Sequence, residues 1–438
     1  MKLSRMPATA CSCVALLASE ANAEPPRKQD VSGVAQPERF TGDLLRSGAG
    51  ALLFVPRELA SLLFFTSGAA VGIVENEQVV PRVRDFLFSR DGRIGFFPTL
   101  FVETGSSFNV GGRMIASADT AATTLRAGYG GPDANVVESR LRFARLTPVP
   151  IVLSFEGMHD RRTGLGYPGI GQDPRGDPRN RFVSTLTQAS YQERRERVIA
   201  SLGIRPVRDL EVFLSSSYSQ RFSDDVSGGV GPRFDDVFAP GSVPGWSRTT
   251  RQVYTELALR LDTREARVAP VPGTLIEGYG GTSRGVKQEH GRFLRVGARA
   301  AGFISVYRRT NVLIPKIVID GVAYSSGEQV PFSELARQPD FRGFNTRRDF
   351  TSMVLSLDYR WKVQRFVAAR LFVDAATVAP SARDLSLKGM RYVGGFEVDL
   401  YTANTELARL GVSVSPEGAL FVFSFGVAPR FGDRQHRD

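Results

Sequence analysis

Histidine, cysteine and tryptophan are scarce: three, two and two residues in a chain of 438. His159, His290 and His436 stand far apart and read as loop or surface residues, so no metal site is expected. Both cysteines, Cys11 and Cys13, fall in the leading segment, which leaves the rest of the chain without a thiol or disulfide framework. A long apolar run is also wanting. Residues 59–74 are apolar over 16 positions, and a spanning helix needs about 20. Basic runs are missing too. The formal charge of +11 is spread singly along alternating segments, which argues against a nucleic-acid partner. No pair of catalytic carboxylates stands out. Gly281-Thr282-Ser283-Arg284-Gly285 has the letters of a nucleophile elbow, but Gly280, Gly281 and residues 287–291 point to a hairpin loop where the elbow needs a strand-to-helix turn. Gly164-Leu165-Gly166-Tyr167-Pro168-Gly169 has the letters of a dinucleotide loop, but Pro168 and the Asp/Pro-rich residues 173–178 make it a long loop without a helix. No enzyme activity and no cofactor are expected.

What is present begins with an export signal at 1–23. Lys2 and Arg5 precede the short apolar core 8–18, and Ala21-Asn22-Ala23 offers a small-residue cleavage site before Glu24. A lipoprotein reading is weaker, because Ala8-Thr9-Ala10-Cys11 lacks the expected leucine. Residues 24–42, with Pro25, Pro26 and Pro37 among charges, read as a flexible linker. Over 43–92 the leucines recur at helical spacing, and an amphipathic helical segment is expected there, too short for a delivery module of periplasmic type.

From residue 93 to 431 the pattern changes to period two. Alternating segments are expected at 96–104, 108–116, 121–129, 135–146, 151–159, 198–204, 212–222, 253–262, 273–281, 293–308, 313–324, 353–361, 366–378, 392–401, 407–414 and 419–431. In 293–308, Leu294, Val296, Ala298, Ala300, Ile304 and Val306 face one way, and Arg295, Gly297, Arg299, Ser305 and Tyr307 the other. This predicts an all-β transmembrane antiparallel barrel of about 16 strands, an even number as single-chain bacterial barrels require, followed by a polar tail at 432–438.

Three motifs sharpen the reading. Phe341-Arg342-Gly343-Phe344 lies in a loop after Pro339 and Asp340. In the next two strands Met353, Leu355, Leu357, Tyr359 and Trp361 oppose Asp358 and Arg360, and Val367, Ala369, Leu371 and Val373 oppose Arg370 and Asp374. Asp358 and Asp374 therefore share the polar side of neighbouring strands. An arginine fork can bond two carboxylates at once, so Arg342 is expected to pin the loop inside the barrel. Gly343 is expected to allow a tight bend, and Phe341 and Phe344 to pack the tip against the wall. The second motif is Asp262-Thr263-Arg264 followed by Pro272-Gly273, a hairpin and a turn. The third is the closing strand, where Phe421, Phe423, Phe425 and Phe431 form an aromatic face. By the same parity Glu138, Arg140, Arg142, Glu256, Arg260, Asp262, Arg295, Arg299, Arg360, Arg370, Glu397 and Asp399 face the lumen. Both signs occur there, which favours a cross-lumen ionic lattice over a selectivity ring.

In these motifs and their order, 94–431 resembles the barrel of BamA/TamA-type outer-membrane assembly factors, the bacterial surface antigen superfamily. Three departures are the adjacency of Pro272 and Gly273, the residues after Phe431, and the missing periplasmic delivery (POTRA) modules, so a POTRA-less member is expected. The resemblance implies a barrel of the Gram-negative outer membrane that inserts or translocates proteins, or lipids, through a weak seam between its first and last strands. Its implied partners are outer-membrane lipids including lipopolysaccharide, unfolded outer-membrane proteins, or a separate periplasmic delivery protein. The alternative is a passive pore or structural barrel that has lost the assembly role.

Overall fold

The computed structural model describes residues 89, 91, 93–101, 109–131, 134–144, 150–226, 231–264, 271–286, 291–306, 310–324, 329–364, 367–401 and 406–424. The expected signal, linker and helical segments, the tail, Phe425 and Phe431 lie outside the described residues. Sixteen strands follow one another: β1 (Ile94–Phe101), β2 (Asn109–Ser117), β3 (Ala121–Tyr129), β4 (Asn135–Ala144), β5 (Ile151–Tyr167), β6 (Ala189–Val207), β7 (Leu210–Asp225), β8 (Thr249–Asp262), β9 (Gly273–Gly285), β10 (Phe293–Ser305), β11 (Asn311–Ala323), β12 (Thr351–Gln364), β13 (Val367–Ala379), β14 (Arg391–Tyr401), β15 (Glu406–Ser415) and β16 (Gly418–Ser424). Each pairs antiparallel with the next in one sheet. β1 and β16 come within 8 Å between Cα atoms, yet among the described residues no ladder joins them.

The alternation has a plain cause: one face of each strand meets an apolar exterior and the other a polar lumen. Val198, Leu214, Leu257, Leu294, Leu357, Val373 and Val412 stand exposed on the outer faces. A belt of that kind, running round a sheet whose ends meet, suits lipid hydrocarbon. Inside, Glu256, Arg260, Glu277, Arg295, Asp320, Asp374 and Asp399 are buried.

Three strands overshoot the belt. β5, β6 and β7 have 17, 19 and 16 residues, and about 9–11 cross a bilayer. The outer face of β6 shows the transition, from Val198, Ala200 and Leu202 to Gln192, Arg194 and Glu196 near the long connection 168–188. At that end the connections form a cap. Tyr167 and Tyr191, at the ends of β5 and β6, bury their rings with Phe332 and with Phe234, Val237 and Phe238 of a one-turn helix and its cap. Arg348 donates to the Tyr191 hydroxyl at 2.6 Å. Gln172 reaches over to the far strands, donating to the Gly389 carbonyl at 2.8 Å and accepting from the Val378 amide at 3.0 Å. Arg179 bonds both oxygens of Asp349 at 2.7 and 2.8 Å while also holding Asp177.

Glycines in the wall seat aromatic rings from the adjacent strand. Tyr279 lies over Gly297, its direct cross-strand partner, and its hydroxyl reaches Asp320 on β11 at 2.6 Å. A Cβ at Gly297 would lie 2.3 Å from that ring and 2.6 Å from the Ile319 carbonyl oxygen. Phe372 covers Gly395 in the same way. Gly280 and Gly281 correct the sequence reading: they lie within β9, not in a hairpin loop, because the strand continues to Gly285. Ser283 is buried on the lumen face, donating to Gln252 Oε1 at 3.3 Å, so the G-x-S-x-G letters sit on a straight strand and make no elbow.

Two outcomes are expected. Gly297→Val displaces Tyr279 and costs about 1–3 kcal/mol, read as a lower temperature for loss of the compact band in heat-modifiability gels; an unchanged transition would show that the ring does not need the glycine. The cap responds to acid. The hydrogen bond from Arg179 holds the Asp177 carboxyl below its ordinary value. Its contribution is therefore complete above the unfolded carboxylate pKa of about 3.9 and is lost as pH falls through the depressed value. Limited proteolysis within 168–188 is expected to stay flat from neutral pH to about 4 and to rise only below it.

Candidate functional site

The connection between β11 and β12 turns down into the lumen and ends in the tip Phe341-Arg342-Gly343-Phe344. Asp340 makes the entry with a left-handed φ of 66°, a conformation uncommon for a residue with a side chain. Its carboxylate is fixed by Arg299 at 3.1 Å and Lys316 at 3.5 Å, on β10 and β11.

Arg342 then meets the far wall. Its backbone amide and Nε donate to Asp374 Oδ2 at 3.1 and 2.9 Å, and one terminal nitrogen bonds Asp374 Oδ1 and Asp358 Oδ1, each at 2.5 Å. The other terminal nitrogen reaches Asp358 Oδ2 at 3.3 Å and lies 3.6 Å from Glu397. The guanidinium also stacks on Phe372, 3.6 Å from the ring centroid. Its carbonyl accepts from Ser413 Oγ at 2.8 Å, so the tip touches β12, β13, β14 and β15 through one residue.

The wall needs that charge. Asp358, Asp374, Glu397 and Asp399 are four buried carboxylates, and the arginines bridging them from the wall are three: Arg360 and Arg370, which share Asp399, and Arg409. Among the described residues none of these three pairs with Asp374, whose ion-pair partner is Arg342. Burying an unmatched carboxylate costs several kcal/mol, so the pair holds the loop inside.

Phe341 is buried among Val318, Val354, Phe372, Ala376 and Val393. Gly343 lies at a bend, as the sequence reading expects, without a left-handed φ. A Cβ there would lie 2.6 Å from the Phe341 ring and 3.4 Å from Val393, so glycine is needed for clearance. Phe344 is half-buried, and its ring packs against Gly418 at the β15–β16 turn. Arg391 on β14 donates to the Phe344 carbonyl at 2.6 Å and pairs with Glu417 of that same turn.

The second motif lies at the short-turn end and does not join the loop tip. Asp262 accepts from the Arg264 Nε at 2.8 Å, and Arg264 covers Phe303, 4.6 Å from its centroid. Thr263 pairs with Thr274 through the backbone at 3.0 Å and accepts the Thr274 amide on its hydroxyl at 2.9 Å. Gly273 has φ 149° and packs against Arg264 so closely that a Cβ would come within 2.7 Å, while Pro272 leads into the strand. Of the closing aromatic face, Phe421 is exposed and Phe423 half-buried on the outside of β16. Many of the lumen-facing charges pair: Arg126 with Glu138, Arg140 with Glu156, Arg260 with Glu211 and Glu277, Arg295 with Asp320. Parity alone does not single out Glu397, Ser413 or Arg391 as neighbours of the tip. The one signal for Glu397 is its place on a lumen face beside Arg370.

Comparison of this architecture with solved structures gives 76% coverage of the chain by BamA from Haemophilus ducreyi lacking POTRA domains 1–3, over 70% of that chain, with TM-score 0.52 and 13% identity. The chain has the BamA barrel fold. CdiB from Acinetobacter baumannii aligns over 76% of this chain and 59% of its own, with TM-score 0.44 and 8% identity. The siderophore receptor PirA, also from Acinetobacter baumannii, aligns over 75% and 58%, with TM-score 0.31 and 10% identity. No family model and no curated protein sequence matches the chain. The BamA likeness thus rests on the barrel's geometry.

Arg342→Ala is expected to cost about 3–5 kcal/mol, since it strands a buried carboxylate. Adding Asp374→Asn should recover part of the loss by removing the stranded charge. Urea midpoints of the refolded single and double variants check this, and an Arg342→Ala midpoint equal to wild type would sink the ion-pair account.

Proposed function

We propose that this chain is a Gram-negative outer-membrane barrel that assists insertion or translocation of proteins, or lipids, through the junction of β1 and β16. The observation that carries the reading is the approach of these strands with no ladder between them among the described residues, in a sheet whose other sequential neighbours are all paired. Pro98 on β1 supports it, because proline offers no ladder donor and belongs on an edge strand. The loop tip supports it from the other side. Through Ser413 and through Phe344 against Gly418, the tip bears on the hairpin that carries β16. Partners on this reading are outer-membrane lipids including lipopolysaccharide, with unfolded outer-membrane proteins or a periplasmic delivery protein as further ones.

A second reading, a passive pore, is favoured by one observation. The inner faces of β2 to β4 are half-exposed, which leaves room for water beside the packed tip.

Cysteine pairs placed across β1 and β16 separate the two. For an assembly barrel, oxidation is expected to abolish assisted insertion of a reporter barrel into liposomes and reduction to restore it, with bilayer conductance closed or flickering. Insertion indifferent to the lock, with a steady large conductance in the protein with and without residues 24–92, would replace the first reading by the pore.

A further inference from the structure

Charge is one-sided on the strands next to β1. β2, β3 and β4 together carry five charged residues, Arg113, Arg126, Glu138, Arg140 and Arg142, all at inner-face positions by strand parity. They are half-buried, in contrast to the buried acids that the loop tip covers on β12 and β13. The carboxylates within reach are taken. Glu138 pairs with Arg126 at 3.1 Å, and Glu156, from β5, with Arg140 at 3.1 Å.

Arg113 is the exception. The register sets it directly opposite Arg126, two like charges on one face of neighbouring strands, an arrangement that destabilises a sheet. It forms no ion pair among the described residues, and its Nε is enclosed with no hydrogen-bond acceptor. Glu138, bonded to Arg126 through both oxygens, offsets that repulsion in part, and a second anion bridging the two arginines would offset the rest. A phosphate suits that role, because its tetrahedral oxygens can accept from two guanidiniums at once.

We propose that Arg113 and Arg126 form a binding site for a phosphate group on the inner wall, one strand away from the β1–β16 junction. Both a free phosphate and a lipid headgroup carry that chemistry, and β2 is the first strand inside the junction from which a headgroup would enter. The site stands on register and charge and holds whether the barrel assembles proteins or conducts.

The test uses the refolded full chain. Binding of inorganic phosphate is followed by phosphorus NMR in zwitterionic detergent. Headgroup binding is followed in phosphatidylcholine nanodiscs with and without phosphatidic acid. Saturable binding is expected in the wild type, weakened roughly tenfold or more by Arg113→Gln, the effect of losing one charge-assisted hydrogen bond, and unchanged by Arg208→Gln at the exposed turn between β6 and β7. Binding of both ligands supports the site for either source, and binding of phosphatidic acid alone assigns it to a lipid headgroup. A second measurement needs no variant: phosphate should raise the wild-type unfolding midpoint above that in chloride at equal ionic strength. Absence of binding in both arms, or equal affinity in Arg113→Gln, overturns the proposal.

Discussion

On the lumen side of β13 Asp374 is a buried carboxylate whose ion pair, among the described residues, comes from the loop tip, and the position of the tip rests on that pair. An arginine from a mobile connection could pair with one carboxylate at the surface for little gain. Buried among Asp358, Asp374 and Glu397 with Phe372 beneath it, the same group joins Asp374 to a network in which Arg370 already holds Asp358 and Glu397. The network enforces position more than it adds stability. Arg342 bonds through its backbone as well as its fork, so a displacement of the tip breaks several contacts together.

From this lock the barrel divides into a packed part and an open part. Between β10 and β16 the tip fills the lumen: Asp340 faces Arg299 and Lys316, Phe341 sits in the wall, and Phe344 rests on the β15–β16 turn. Beside β2 to β4 nothing comparable covers the inner face among the described residues, and its charged residues are half-buried. The junction of β1 and β16 lies where these two parts meet. An interface lacking ladder bonds between a braced strand and an unbraced one is where the least work separates neighbours, since each ladder bond elsewhere must be broken or re-formed.

Strand order and number were legible because every wall strand has two solvents, and the period of two records them. The signal fails where the second solvent changes. Beyond the apolar belt the outer face of β6 carries Gln192, Arg194 and Glu196, so alternation marks 198–204 while the strand runs from Ala189 to Val207. Parity could place Asp358 and Asp374 on one face, and it placed Glu397 there too. It could not say that the tip would meet Glu397 and Ser413, because that depends on how far a loop reaches across a curved sheet. The reading of Gly343 as a bend was incomplete for a related reason: the clearance it gives the Phe341 ring shows only once that ring is placed. The aromatic cap was out of reach, since Tyr167 and Tyr191 lie at the ends of two strands, Phe234 and Phe332 come from two connections, and the four share no periodicity.

The same connection that supplies Arg342 also supplies Phe332, Arg348 and Asp349 to the cap, so the cap and the lock are two ends of one segment between β11 and β12. Their chemistries differ. The cap joins aromatic burial to an ion pair at Arg179–Asp349 that is partly open to water, whereas the lock is an ionic cluster sealed from it. Loosening the cap therefore need not release the tip, because the sealed cluster contributes contacts that the cap does not share. The ion pairs of Arg342 with Asp358 and Asp374 therefore hold the tip in the barrel interior by contacts of their own, separate from those that hold the cap.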